Sequence, residues 1–203
     1  MGLLSTERPL VLGSGSPRRR EILSSLAVPF VVHKADANED VAPGEGVSAY
    51  LERVSLAKLA EVSKTLPGAL RDTAGAILVA DTSVVLDGEI LGKPADLKDA
   101  ERMVGRLAGR SHEVRTHFVL AAVSGEVLHG ETVVTVVHFR PLTATQVRAY
   151  AASGEGSDKA GAYAVQGLGS AFASRLEGSY SNVVGLPACE VAVALEKLGF
   201  RGP

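Results

Sequence analysis

The sequence predicts an α/β fold, a mixed and twisted sheet flanked by helices. Three observations carry that reading. Residues 9–33, PLVLGSGSPRRREILSSLAVPFVVH, read as strand, glycine-rich turn, helix and strand, the order of a βαβ unit. Residues 111–140 alternate apolar and polar side chains, as antiparallel strands do. Other stretches repeat apolar residues at spacings of three and four, as helices lying on a sheet do. The 203 residues suit a single domain over 1–203, in one body or two closely apposed lobes.

Along the chain, residues 9–14 form a short buried strand. Ser16 and Pro17 then make an N-cap and first helical position, since the hydroxyl accepts an orphan N–H and proline's φ suits the first turn. Ile22, Leu23 and Leu26 give that helix its apolar face, and residues 30–33 follow as a strand. Residues 36–46, broken by Pro43 and two glycines, are a loop. A helix over about residues 47–64 aligns Val47, Tyr50, Leu51 and Val54. The segment PGALRDTAG is a second loop, and AILVA (76–80) is a buried strand ending at Asp81. VVLDGEIL is a hairpin about Asp87-Gly88. Leu97, Ala100, Val104 and Leu107 define a helix stopped by Gly109. Two or three antiparallel strands fill 111–140, a helix covers 143–152, and a loop leads into a compact segment ending at Gly178. Residues 187–198, apolar nearly all round, form a helix buried at a core or subunit contact.

Composition narrows the function classes. Hydrophobic residues make up 46% and aromatics only 4%, with no Trp, so the interior is built from Val, Leu, Ile and Ala, and a base-stacking platform is disfavoured. A net charge of −2 gives no global attraction to nucleic acid or anionic membrane; an anion site has to be a local basic cluster. The single Cys189 excludes an internal disulfide and a multi-cysteine metal site, which fits a reducing compartment. The first residues lack a signal peptide's basic flank and long apolar run, and no stretch reaches the roughly 20 apolar residues of a membrane span. The expectation is a soluble cytoplasmic protein with no nucleic-acid or membrane partner.

Three features carry chemistry. Arg18, Arg19 and Arg20 sit at a helix start, where about half a positive charge already resides. An anion docked there, with Gly13, Ser14 and Gly15 allowing its close approach, offsets that cost; a solvated basic patch is the other reading. Lys58 falls on the apolar face of its helix, so it either meets a negative charge or snorkels to water. In ADTSVVLDGEILGKP, a two-residue turn pairs Leu86 with Glu89 and sets Thr82 opposite Lys93. Asp81 then shares a site with Lys93 only through a bulge, for which Gly92 is the candidate; a structural ion pair is the alternative. Together with Glu39 these residues make two carboxylates for a divalent cation, two lysines and two or three arginines, a set suited to metal-assisted attack on a nucleotide's phosphates. The five histidines have no metal-binding spacing, and no GxSxG, Walker A or HExxH motif occurs.

From LGSGSPRRREIL through VADTSVV, LGKP, LAGRSHEVRT and DKAGAYAVQG to GSYSNVVGLP, the chain resembles the Maf family of nucleoside triphosphate pyrophosphatases. The resemblance implies a Maf/ITPase-like fold and cleavage between the α and β phosphates, giving a nucleoside monophosphate and pyrophosphate. It also implies a divalent metal, Mg²⁺ or Mn²⁺, and a homodimer. Thr82 and Gln166 resemble the dTTP/UTP branch rather than the branch acting on 7-methyl-GTP, with Arg18 as a third residue tied to base choice. By the same resemblance Asp81 is the proton acceptor and shares the metal with Glu39, while Ser14, Arg19, Lys58 and Lys93 hold the phosphates. Asn38 stands where a second acid is common, which makes Asp36 or Asp40 a helper to Glu39. His117 and Ala164 also depart from the family pattern. Two other classes remain: a non-catalytic nucleotide-binding regulator linked to cell division, and nucleic-acid binding through the arginines.

Overall fold

The computed structural model describes residues 4–34 and 36–200. In chain order the elements are β1 (Leu10–Leu12), α1 (Pro17–Ser25), β2 (Phe30–Val32), α2 (Val47–Thr65), α3 (Gly68–Thr73), β3 (Ala76–Leu86), β4 (Glu89–Leu91), α4 (Leu97–Leu107), β5 (Ser111–Ala121), β6 (Val127–Phe139), α5 (Ala144–Ala152), β7 (Ala173–Glu177), α6 (Tyr180–Val184) and α7 (Ala188–Lys197), with 3₁₀ turns at Ala160–Ala162 and Gly167–Ala171. The mixed sheet runs β2-β1-β3-β5-β6-β7, with β4 also on β3. The chain divides into two compact units. The described residues up to Asp81, Thr116–Val133 and those from Gly185 onward form the first; Thr82–Arg115 and Val134–Val184 form the second.

In the first unit β1 pairs in parallel with both β2 and β3, Leu10 lying opposite Phe30 and Ala76. The βαβ order of the sequence is therefore real. A strand buried on both faces sends alternate side chains to opposite sides. Leu10, Leu12, Leu78 and Ala80 join Leu23 of α1, Phe118, and Val191, Ala194 and Leu195 of α7 in one cluster. Val11, Ile77 and Val79 join Leu59 and Val62 of α2 in the other. A Cβ on Gly13 would lie 2.7 Å from Val62 Cγ2 and from Val79 Cγ1, so helix–sheet packing requires this glycine.

One expectation in this unit needs correction. The segment after Pro67, expected as a loop, contains α3; none of its six residues is buried, so no apolar periodicity announces it. The last helix meets the core through Val191, Ala194 and Leu195, while Val193 and Cys189 face outward from this chain.

In the second unit Leu86 pairs with Glu89 across Asp87 and Gly88, both at positive φ, as the hairpin reading requires. The ladder ends at Val84–Leu91. Gly92 leaves the strand and its carbonyl accepts the Gly161 N–H, so neither the expected Thr82–Lys93 register nor a Gly92 bulge forms. Asp96 caps α4 by accepting the Asp99 N–H at 2.8 Å, and α4 buries Ala100, Met103, Val104 and Leu107 against α5; Leu97, expected on that face, is exposed. Thr143 and Gln146 close a capping box at the start of α5. Residues 111–140 form two strands. The short β7 and α6 after residue 172 have too few residues for a period to show.

The core of this unit also departs from the aliphatic expectation. Phe139 stands 5.0 Å from His112, 4.8 Å from Tyr163 and 5.9 Å from Phe172, edge to face, and Phe172 stands 4.8 Å from Tyr150. Asn182, fully buried, donates to Val114 O and Thr135 Oγ1 at 3.0 Å each and so ties α6 to β5 and β6.

His112 is 3% exposed, and burial pulls its pKa down from the ordinary value to about 4. Between about pH 4 and 6.5 the unfolded chain holds a proton that the folded state refuses, so stability rises with pH across that window. A shift of this size corresponds to roughly 3 kcal/mol. In His112→Phe the unfolding free energy should change less between pH 4.5 and 7 than in the parent. Equal pH dependence in urea titrations of the two would show that His112 is not the source.

Candidate active site

The site grows from the start of α1, from the buried face of α2 with the loop before it, and from the middle of β3, up to Asp81 all in the first unit. Ser16 caps α1 by accepting the Arg19 N–H at 3.5 Å, with Pro17 at the first position. Ser14, 8% exposed, accepts the Ser16 N–H at 3.3 Å and an Arg19 Nη1 hydrogen at 3.0 Å. Arg19 Nε donates to Gly185 O at 2.8 Å, which lays the guanidinium back over the turn that precedes its own helix. Burial lowers the pKa of Arg19, the charges of Asp81 and Glu39 raise it, and Arg18 lowers it. Arg19 thus stands within electrostatic reach of both acids, while Arg20 is exposed.

Helix α2 organises the loop that carries Glu39. The Tyr50 hydroxyl donates to Glu39 O at 2.9 Å. Arg53, one turn on, donates to Asp40 O at 2.8 Å and grips both oxygens of Glu45 at 2.6 and 2.8 Å. Those bonds from Arg53, with the Ala42 N–H, hold the Glu45 carboxyl down at about 2. Asn38 Oδ1 accepts the Asp40 N–H at 2.7 Å, an Asx turn of the kind asparagine and aspartate both form. Asp36 pairs with Lys34 at 2.8 Å on the surface, Asp40 lends its carbonyl to Arg53, and Glu39 meets Lys58 in an ion pair.

Lys58 lies two turns beyond Tyr50 on the buried face of α2 and is 8% exposed. Its Nζ is 2.7 Å from Asp81 Oδ1 and 2.7 Å from Glu39 Oε1. Of the two readings of Lys58, the paired one holds. Asp81, 7% exposed, sits in the middle of β3, where the chain passes from the first unit to the second. A buried ammonium against two carboxylates is tolerable because each charge is compensated by short, charge-assisted bonds.

The donor set can be tested against a divalent ion. Among the described residues no group of three or more His, Cys, Asp or Glu side chains forms a complete metal cage. Magnesium does not require one: it keeps several waters and takes one or two carboxylates plus substrate phosphates. Asp81 and Glu39 converge on one ammonium, so both hard oxygen donors already reach a common position, and the residues fit such an ion.

Of the residues singled out in the sequence, Ser14, Arg19, Glu39, Lys58 and Asp81 form one connected set, with half-buried Arg18 acting electrostatically on Arg19. Thr82 follows Asp81 on β3 and, with the exposed Lys93 and Gln166, belongs to the second unit. Gln166 immediately precedes the 3₁₀ turn at Gly167–Ala171. His117 Nδ1 is 2.8 Å from Thr132 Oγ1. Tyr50, Arg53 and the Gly185 carbonyl were not foreseen. A tyrosine and an arginine three apart beside an acidic loop were the only signal for the first two, and a carbonyl 166 residues from Arg19 left none.

Among the described residues no helix is long and apolar enough to cross a membrane. A Hahella chejuensis protein named dTTP/UTP pyrophosphatase is 45% identical over 96% of this chain and 94% of its own length. One of the same name from Symbiobacterium thermophilum is 43% identical over 94% of each. The solved structure of the Staphylococcus aureus Ham1 protein compares at a TM-score of 0.47 and 11% identity, over 92% of this chain and 99% of that one. Residues 9–198 match the sequence model of the family described as Maf-like protein. With that match and these relatives spanning nearly all of its length, the chain belongs to the Maf-like protein family.

Proposed function

We propose that this protein is a nucleoside triphosphate pyrophosphatase acting on dTTP and UTP, or on modified pyrimidine triphosphates, in line with the names its relatives carry. The observation that carries the proposal is the Lys58 ammonium held at 2.7 Å by both Asp81 and Glu39, within electrostatic reach of Arg19. Water attacks the α-phosphorus: a new P–O bond forms, the bond to the α,β-bridging oxygen breaks, and pyrophosphate leaves with its electron pair. Asp81 accepts the proton of that water. Ser14, Arg19, Lys58 and Lys93 hold the phosphates and oppose the charge that grows on the leaving group. Glu39 and Asp81 would hold the divalent cation, Mg²⁺ or Mn²⁺, which when bound supplies Lewis-acid charge neutralisation. Arg18, Thr82 and Gln166 discriminate the base, because a site built to hydrogen-bond a base edge rejects bases that leave its polar groups without partners. The family resemblance adds a homodimer, and the lone cysteine in the sequence fits the cytoplasm.

A nucleotide-binding regulator without catalysis is not favoured, since it has no use for two acids converging on a lysine. Pyrophosphate release is to be measured with Mg²⁺ or Mn²⁺ over dTTP, UTP, CTP and 7-methyl-GTP. The expected result is turnover of dTTP and UTP above the other two. Preference for the methylated purine would overturn the base assignment, and tight nucleotide binding without pyrophosphate release would overturn catalysis.

A further inference from the structure

The segment that carries Gln166 is held by one carboxylate. Glu155 follows α5 by three residues; its Oε2 accepts the Leu168 N–H at 2.8 Å and its Oε1 accepts the Gly169 N–H at 2.9 Å. Oε1 also accepts the Tyr150 hydroxyl at 3.0 Å, and that same phenol oxygen accepts the Ala164 N–H at 3.0 Å. Upstream, Tyr163 is fixed by its hydroxyl, 2.8 Å from His112 Nε2. The chain on both sides of Gln166 is therefore tied down, by the Tyr163 side chain and the Ala164 backbone before it and by the backbone at 168 and 169 after it.

The fit leaves little room for another course of the chain. A Cβ on Gly167, which sits at φ +66°, would lie 2.3 Å from Glu155 Oε2, and one on Gly169 would lie 2.1 Å from Ala164 O. Glycine is needed at 167 for its positive φ beside the carboxylate and at 169 for the close approach of the Ala164 carbonyl. Burial pushes the Glu155 carboxyl up, but the N–H groups of Gly169 and Leu168 and the Tyr150 hydroxyl outweigh it, and the net displacement is downward. The acid is thus ionised at neutral pH and accepts all three bonds. Gln166, in the middle of this clamp, is exposed.

We propose that Glu155 is a positioning residue for nucleotide selectivity: by ordering the backbone from 164 to 169 it holds Gln166 where that side chain discriminates among bases. The proposal rests on the base-reading role given to Gln166 above. Glu155→Gln removes the second acceptor oxygen and turns an NH₂ group toward one of the two backbone N–H groups, with little change in volume.

The test is a double-mutant cycle of Glu155→Gln and Gln166→Ala, with kcat and KM measured for dTTP and CTP and with amide hydrogen exchange followed at Leu168 and Gly169. The dTTP-over-CTP preference in kcat/KM should fall roughly tenfold in Glu155→Gln, the scale of one lost directional hydrogen bond, mainly through KM for dTTP. The double variant should be no less selective than Gln166→Ala alone, since residues acting through one contact are not additive. Exchange at Leu168 and Gly169 should quicken in Glu155→Gln. Parental selectivity in Glu155→Gln, multiplicative losses in the double variant, or unchanged exchange at the two amides would each overturn the role of Glu155. If Gln166→Ala keeps the dTTP preference, the base-reading role of Gln166 fails, and this inference fails with it; loss in Gln166→Ala with retention in Glu155→Gln sinks Glu155 alone. Should Glu155→Gln not fold, Tyr150→Phe, which removes the link between Ala164 and the carboxylate, is held to the same outcomes, with the exchange readout moved to Ala164.

Discussion

Asp81→Asn should lower pyrophosphate release about a thousandfold, the middle of the range for loss of a general base, while the folded structure persists. Asparagine has nearly the same shape, and its carbonyl oxygen can still accept from Lys58 Nζ, which aspartate does at 2.7 Å. Lys58 also keeps its bond to Glu39, so no buried ammonium is stranded. What disappears is the negative charge and the capacity to take a proton from water. Rates of pyrophosphate release, compared with circular dichroism spectra of the same samples, separate chemistry from folding. Turnover close to the parent's in a folded Asp81→Asn protein would remove Asp81 from the role of proton acceptor.

Lys58→Met should be the more damaging change to the protein itself. Methionine replaces the alkyl stem but deletes the ammonium, leaving Asp81, 7% exposed, and Glu39 without their common counter-charge. Breaking a buried ion pair from one side costs about 3–5 kcal/mol. Most of that falls on Asp81, because the Glu39 side chain is 41% exposed and can turn toward water. The mechanism has a clear signature: adding Asp81→Asn to Lys58→Met should restore part of the lost stability, because it removes the stranded charge. Urea denaturation of the parent, both single variants and the double variant measures the coupling. A double variant less stable than Lys58→Met would refute the ion pair as the source of the loss.

Local signals in the chain were strong wherever one residue type has one physical use. Ser16-Pro17 marks a helix start, and Asp87-Gly88 marks a hairpin; each does in the folded protein what its chemistry requires. Lys58 announced itself by being wrong for an apolar face, and Glu39 by being an acid in a loop; Asp81 reads as the end of a buried strand, but β3 runs on through it to Leu86. Strict alternation misled at Lys93, because the β3–β4 ladder stops two residues short of it and the Gly92 carbonyl turns to Gly161 instead. The elements that went unseen, α3, β7 and α6, are short and held by contacts distant in sequence, such as those from Asn182 to Val114 and Thr135. Aromatic scarcity in the whole chain also hid the gathering of rings about Phe139, since composition carries no positions.

The linear chain settled which residues would be costly to leave without a partner: a lysine among leucines, arginines at a positive helix end, a carboxylate after a buried apolar run. Helix caps, turn chemistry and the strand period are equally local, decided within a few residues by φ, hydrogen bonding and side-chain direction. Which charge meets which was settled by packing. Lys58 finds Asp81 23 residues away, and Arg19 finds the Gly185 carbonyl 166 residues away. Such pairs depend on how α1 and α2 seat on the sheet, and burial, which makes each of these charges need a partner, exists only once that seating has closed.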